Sequence, residues 1–130
     1  MENRLKKLLF DVLISCENIE VYMLGCESFQ AFDDDVFLQH SIERNIEIIG
    51  EALKNVRNIN PEISISRLND IINTRNKLIH GYDSIDNTII YTIVVKHIPV
   101  LKEEVILLIE NWFQEKSELT LRAASEMPPA

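Results

Sequence analysis

Apolar residues recur at Leu5, Leu8, Leu9, Val12, Leu13, Cys16, Ile19 and Met23, the three- and four-residue spacing of one helix face. Gly25 ends that segment, and Asp33, Asp34 and Asp35 offer capping and first-turn acids to the next. A second stripe runs through Leu38, Ile42, Ile46, Ile49, Leu53 and Val56 and stops before Asn60-Pro61. A third, opened by Ser66 as N-cap, carries Leu68, Ile71, Ile72 and Ile79, with Gly81 placed as a C′ glycine. Ser84 or Asp86 caps a further helix through Ile89, Ile90 and Ile93, which Pro99 should break or restart. The last stripe is Leu101, Val105, Leu108, Ile109 and Trp112. Beyond Lys116 the pattern fades, so residues 3–115 read as one helical domain and residues 116–130 as a disordered tail.

Isoleucine is abundant and its β-branching favours strands. The helical period nevertheless persists over segments longer than typical strands, so period decides. The fold class expected is all-α, an up-and-down bundle of four long helical segments with the last split in two. Composition agrees: 130 residues suit one domain, and only three glycines and four prolines leave little material for a many-turned β fold. The basic residues before the first apolar stretch are followed by Asp11, Glu17 and Glu20, which reads as an amphipathic helix rather than a signal peptide. No run approaches the ~20 apolar residues of a membrane span. Cys16 and Cys26 fit neither a CxxC nor a zinc spacing and read as reduced packing residues of a cytoplasmic protein.

Charge narrows the chemistry. A net charge of −8 argues against a broad nucleic-acid surface, which needs clustered Lys and Arg. Within residues 66–82, however, Arg67, Arg75 and Lys77 outweigh Asp70, a small positive spot suited to a confined phosphate site. Arg75 falls inside the third apolar stripe, where a guanidinium must snorkel or meet a carboxylate, amide, phosphate or second subunit. Asn45, polar within its own stripe, is one neutral neighbour on offer. His80 lies at the expected C-terminal turn, where the helix dipole favours an imidazolium, and Asn76 sits one turn beneath it as an orienting group. On a straight helix Arg75 and His80 point roughly 140° apart, and they converge only through arginine's reach or because the helix ends at Gly81. His40 and His97 lack metal-ligand spacing and read as structural.

The run Arg75-Asn76-Lys77-Leu78-Ile79-His80-Gly81-Tyr82 resembles the R-x4-H-x-Y signature of HepT toxins, a branch of the HEPN superfamily. Arg44-Asn45-Ile46-Glu47-Ile48-Ile49-Gly50-Glu51-Ala52 is similar to that family's second-helix segment, and the likeness spans roughly residues 3–115. The resemblance implies a helical bundle that dimerises through the motif face. It also implies a toxin that cleaves RNA, such as tRNA, without metal or other cofactor, with Arg75 and His80 as the catalytic pair, beside which Asn76 takes the orienting place that its spacing gives it. The partner implied is a nucleotidyltransferase antitoxin that transfers AMP to the motif tyrosine, by position Tyr82. The alternative reading is a non-catalytic HEPN subunit that docks a nucleotidyltransferase or nucleotide, which the acidic surface favours.

Overall fold

The residues that α1 (Asn3–Tyr22) buries are Leu5, Leu9, Val12, Cys16 and Ile19, with Ser15 beside them. The computed structural model describes residues 3–80, 86–126 and 128, all of it helix, turn or coil without strand among the described residues. α1 packs chiefly against α3 (Val36–Ile59), and α3 in turn against α4 (Leu68–Ile79). α6 (Ile98–Ser125) closes the bundle against α1. The expected all-α bundle is therefore the observed one.

Asp35 is the cap that opens α3, its Oδ1 accepting from the Leu38 N–H at 3.0 Å. Before it lies α2 (Phe29–Asp33), a single short turn of helix capped by Ser28 that the stripe analysis did not resolve. Its Phe32 is fully buried, and Phe29 and Phe32 both meet Tyr91 of α5 (Asn87–Thr92) at centroid distances of 5.5 and 5.7 Å. α2 thus seats α5 on the bundle. Asp86 caps α5, accepting from the Ile89 N–H at 3.1 Å, as one of the two residues expected to do so; Ser84 and Gly81 lie outside the described residues.

Ser66 does not cap α4. Arg67 occupies the N-cap position without a side-chain bond, because Ser66 is taken by α6: its N–H and Oγ donate to the two oxygens of Glu104 at 2.9 and 2.8 Å. This two-pronged clamp ties the α3–α4 turn to the closing helix. Hydrogen bonds to a charged group contribute more than neutral ones. Glu104→Ala is accordingly expected to lower the unfolding free energy by about 1–2 kcal/mol. Chemical denaturation should show a lowered midpoint at unchanged slope.

Pro99 does not split the last segment as sharply as its ring would suggest. Between α5 and α6 the chain makes a π-helical turn, Ile93–His97, in which the Ile98 N–H reaches back to the Ile93 carbonyl. The wider turn lets a helical path continue into Pro99, whose missing N–H falls in the first turn of α6 where no donor is needed. Nor does the helix end near Lys116: α6 runs to Ser125, although each of its residues from Phe113 to Ser125 is exposed. Good helix formers (Gln114, Glu115, Lys116, Glu118, Leu119, Arg122, Ala123, Ala124) continue it without burial, which an apolar stripe cannot reveal.

Cys16 and Cys26 are both unpaired. Burial, reinforced by Glu20, pushes the Cys16 thiol up to about 12, so it serves as packing. No helix among the described residues is long and apolar enough to cross a membrane.

Candidate functional site

A charged residue inside an apolar stripe needs both room for its stem and a partner for its head. Arg75 receives both from one stretch of α3. At Gly50 the two helices approach so closely that a Cβ there would overlap the Cβ and Cγ of Arg75. The arginine stem crosses α3 over this glycine. One residue on, Glu51 Oε2 meets Arg75 Nη2 at 2.5 Å, and Arg75 Nη1 donates to Asn76 Oδ1 at 2.9 Å. The Arg75 side chain is 17% exposed and that of Glu51 48%, so the pair is part-solvated and its Coulomb gain moderate. Arg75 Nε is buried without a hydrogen-bond partner among the described residues.

Asn45, offered by the sequence as a neighbour for Arg75, is occupied elsewhere. Its Nδ2 donates to the Ser41 carbonyl at 2.9 Å and its Oδ1 accepts from Asn18 at 3.4 Å. Asn76, expected to orient His80, gives its side-chain oxygen to Arg75, while its backbone carbonyl accepts the His80 N–H at 3.1 Å. Neither Gly50 nor Glu51 was singled out from the sequence as a partner of Arg75. The usable signal was there: a mid-helix glycine marks close backbone approach, and a carboxylate beside it answers a buried guanidinium.

Arg75 opens onto a groove of about 330 Å³ that holds Asp11, Arg44, Glu47 and Glu51 among apolar walls from Leu8, Ile48 and Ile79. The carboxylates of Asp11 and Glu47 are engaged locally, by Lys7 at 3.0 Å and by Arg44 at 3.5 Å. Such a surface offers no track for a polyanion, but it does offer one oriented guanidinium with an exposed apolar neighbour, Ile79.

His80 is the C-cap of α4 and lies exposed. It falls five residues after Arg75, roughly 140° around the axis. By that spacing the two motif residues leave α4 on different sides of its axis. Tyr82 lies outside the described residues. His40 is exposed on α3, as expected; His97, in the π-helical turn, is half-buried with its Nδ1 lacking a hydrogen-bond partner among the described residues.

Residues 12–108 match the family model described as "Ribonuclease HepT-like". Among curated proteins, a relative named as a candidate RNase from Caldanaerobacter subterraneus subsp. tengcongensis is 35% identical over 95 residues, covering 72% of this chain and 84% of that protein. A relative from Thermococcus cleftensis, named as a candidate ribonuclease HepT, is 34% identical over 106 residues, covering 78% of this chain and 93% of its own length. A third, named for both a gamma-glutamylcyclotransferase and a candidate RNase of Methanocaldococcus jannaschii, is 32% identical over 118 residues but is only 53% covered. No solved structure matches the chain significantly. With the family model spanning most of the helical bundle, and with it α4 and the Gly50–Glu51 stretch, the chain belongs to the HepT-like ribonuclease family.

Proposed function

We propose that this protein is a metal-independent endoribonuclease whose active site is completed by two copies of the chain, each contributing Arg75 and His80. The observation that carries this reading is the divergence of the pair on α4. A guanidinium held by Glu51 and Asn76 faces one groove, and His80, whose backbone N–H caps the helix end, follows roughly 140° around the axis. Cleavage through the 2′-hydroxyl needs a base, an acid and charge stabilisation at phosphorus. One chain supplies one suitably placed histidine; a twofold pair supplies two histidines and two arginines in a shared cleft.

In the scheme, one His80 removes the 2′-OH proton as that oxygen bonds to phosphorus. The P–O5′ bond then breaks, and the other His80, as imidazolium, protonates the departing oxygen. The products are a 2′,3′-cyclic phosphate and a 5′-hydroxyl. The two Arg75 guanidiniums offset the charge that builds on the non-bridging oxygens. Glu51 and Asn76 hold two of the three Arg75 nitrogens, so the fork is oriented before substrate arrives. The apolar rim of Leu8, Ile48 and exposed Ile79 around it supports a protein surface, rather than water, as its cover.

The test is incubation of purified protein with an RNA panel that includes tRNA, in EDTA. Fragments ending in 2′,3′-cyclic phosphate are expected. Intact RNA under all conditions, with a partner nucleotidyltransferase or nucleotide still bound, would favour a docking subunit that cleaves nothing.

The reading extends to a toxin restrained by a nucleotidyltransferase antitoxin that transfers AMP to Tyr82. A phosphodiester added two residues after His80 places negative charge where the RNA phosphate must enter. Tyr82→Phe is expected to retain cleavage and to escape the antitoxin, read as RNA degradation in the presence of antitoxin and ATP. Silencing of that variant as complete as that of the wild type would assign control to binding alone.

A further inference from the structure

The side of α4 away from Arg75 carries a second groove, of about 400 Å³, closed on its far side by α5 and the π-helical turn. Asp70, whose carboxylate is engaged by Arg67 at 3.2 Å, lines it from α4 together with Asn73 and Lys77, Ile89 and Thr92 line it from α5, and Ile93 and His97 from the turn. Residues 73, 77 and 80 are spaced at four and three, so Asn73, Lys77 and His80 form one row along α4. The row places His80 next along α4 after Lys77, on the face that Arg75 does not share.

Its chemistry is divided along that row. Ile89 and Ile93 make an apolar bed. Asn73 brings an amide with both donors and an acceptor, and Thr92, whose hydroxyl donates to the Thr88 carbonyl at 2.7 Å, can only accept from a guest. Lys77 stands between this part and His80. Among the described residues neither Asn73 nor Lys77 has a side-chain hydrogen-bond or ion-pair partner. His97 closes the end with its Nδ1 buried and without a hydrogen-bond partner among the described residues, a cost that a guest drawing the ring into a hydrogen bond would remove. The π-helical turn that shapes this end is a local geometry found often at functional sites.

A flat, part-apolar group with a hydrogen-bonding edge, joined to an anion about one helical turn away, matches this division. The geometry points to the α4–α5 groove as a nucleobase-binding subsite that seats the base of a nucleotide flanking the scissile phosphate, with Asn73 on its edge and Lys77 on its phosphate. This rests on the ribonuclease reading of His80, and it adds a source of base preference that Arg75 and His80 lack, since phosphate contacts position a strand and base contacts specify it. The volume lies within the usual range of small-ligand sites.

Full-length protein titrated with fluorescein-labelled 2′-O-methyl tetraribonucleotides, one for each base, tests the assignment by anisotropy without requiring cleavage. Replacing the bases by abasic residues is expected to weaken binding about tenfold, the effect of losing one well-seated base. Asn73→Ala should weaken the base-containing probes severalfold and leave the abasic probe unchanged, whereas Lys77→Ala should weaken both. Both residues are exposed, so neither substitution threatens the fold. Equal affinity for base-containing and abasic probes, indifference to Asn73→Ala, or no binding of any probe would overturn the subsite. RNA cleavage measured in parallel separates the two readings: cleavage without base-dependent binding removes the subsite alone, and base-dependent binding without cleavage removes the ribonuclease scheme alone.

Discussion

His80→Ala is expected to lower RNA cleavage by about 10²- to 10⁴-fold, the usual worth of positioned acid–base catalysis. In a twofold site the substitution removes both proton transfers at once, so the upper part of that range applies. The fold should not register the change. His80 is exposed, it caps α4 through its backbone N–H, and that bond to the Asn76 carbonyl survives in alanine. Far-UV circular dichroism and the thermal midpoint should therefore match the wild type while the cleavage rate collapses. Wild-type activity in the variant would move the chemistry elsewhere on the molecule. A collapse accompanied by unfolding would reduce His80 to a structural cap, and the ribonuclease scheme would lose its acid and base together.

Gly50→Ala is expected to be damaging out of proportion to its size. On helix propensity alone, alanine within α3 should stabilise by roughly 1 kcal/mol. Against this stands direct overlap of the new Cβ with the Cβ and Cγ of Arg75. These are atoms next to the backbone and cannot swing aside, so α3 and α4 must separate. Overpacking of this kind typically costs about 1–3 kcal/mol, and it exceeds the propensity gain. The separation also carries the guanidinium away from Glu51, so cleavage should fall with stability. A double variant sharpens the test. Gly50→Ala with Arg75→Ala keeps the Cβ–Cβ overlap and should remain destabilised, whereas Gly50→Ala with Arg75→Gly should regain most of the loss. A single variant that is more stable than wild type would show that the helices are not held in this contact.

The stripes of α1, α3 and α4 were legible because each buries one face over three or more turns, which imprints a period on the chain. α2 was not, since five residues carry no period, and Phe32 gives no sign by itself that it is fully buried. Ser66 looked like a cap because its type and position suit one; its actual partner, Glu104, is 38 residues away and belongs to a different helix. The same limit applied at the site. Arg75 stood out as a charge among isoleucines, but Glu51 lies on the edge of its own helix, half exposed and ordinary in sequence. The divergence of Arg75 and His80 was readable from spacing alone. The groove beside His80 was not, because it depends on where α5 and the π-helical turn come to rest against α4.

That turn makes chain length itself a structural variable. A π-helical turn holds one residue more than the α-helical turn it replaces, so everything after Ile98 is displaced by about 100° in phase from what α5 would have dictated. Leu101, Val105, Ile109 and Trp112 reach the core in that displaced phase. Removing one residue between Ile93 and His97 would close the turn to a regular α-helix and leave all four in the same phase, still facing the core. The turn thus holds one residue in reserve: losing it leaves the half of the helix that closes the bundle facing the same way, whereas losing a second would turn that half by about 100°.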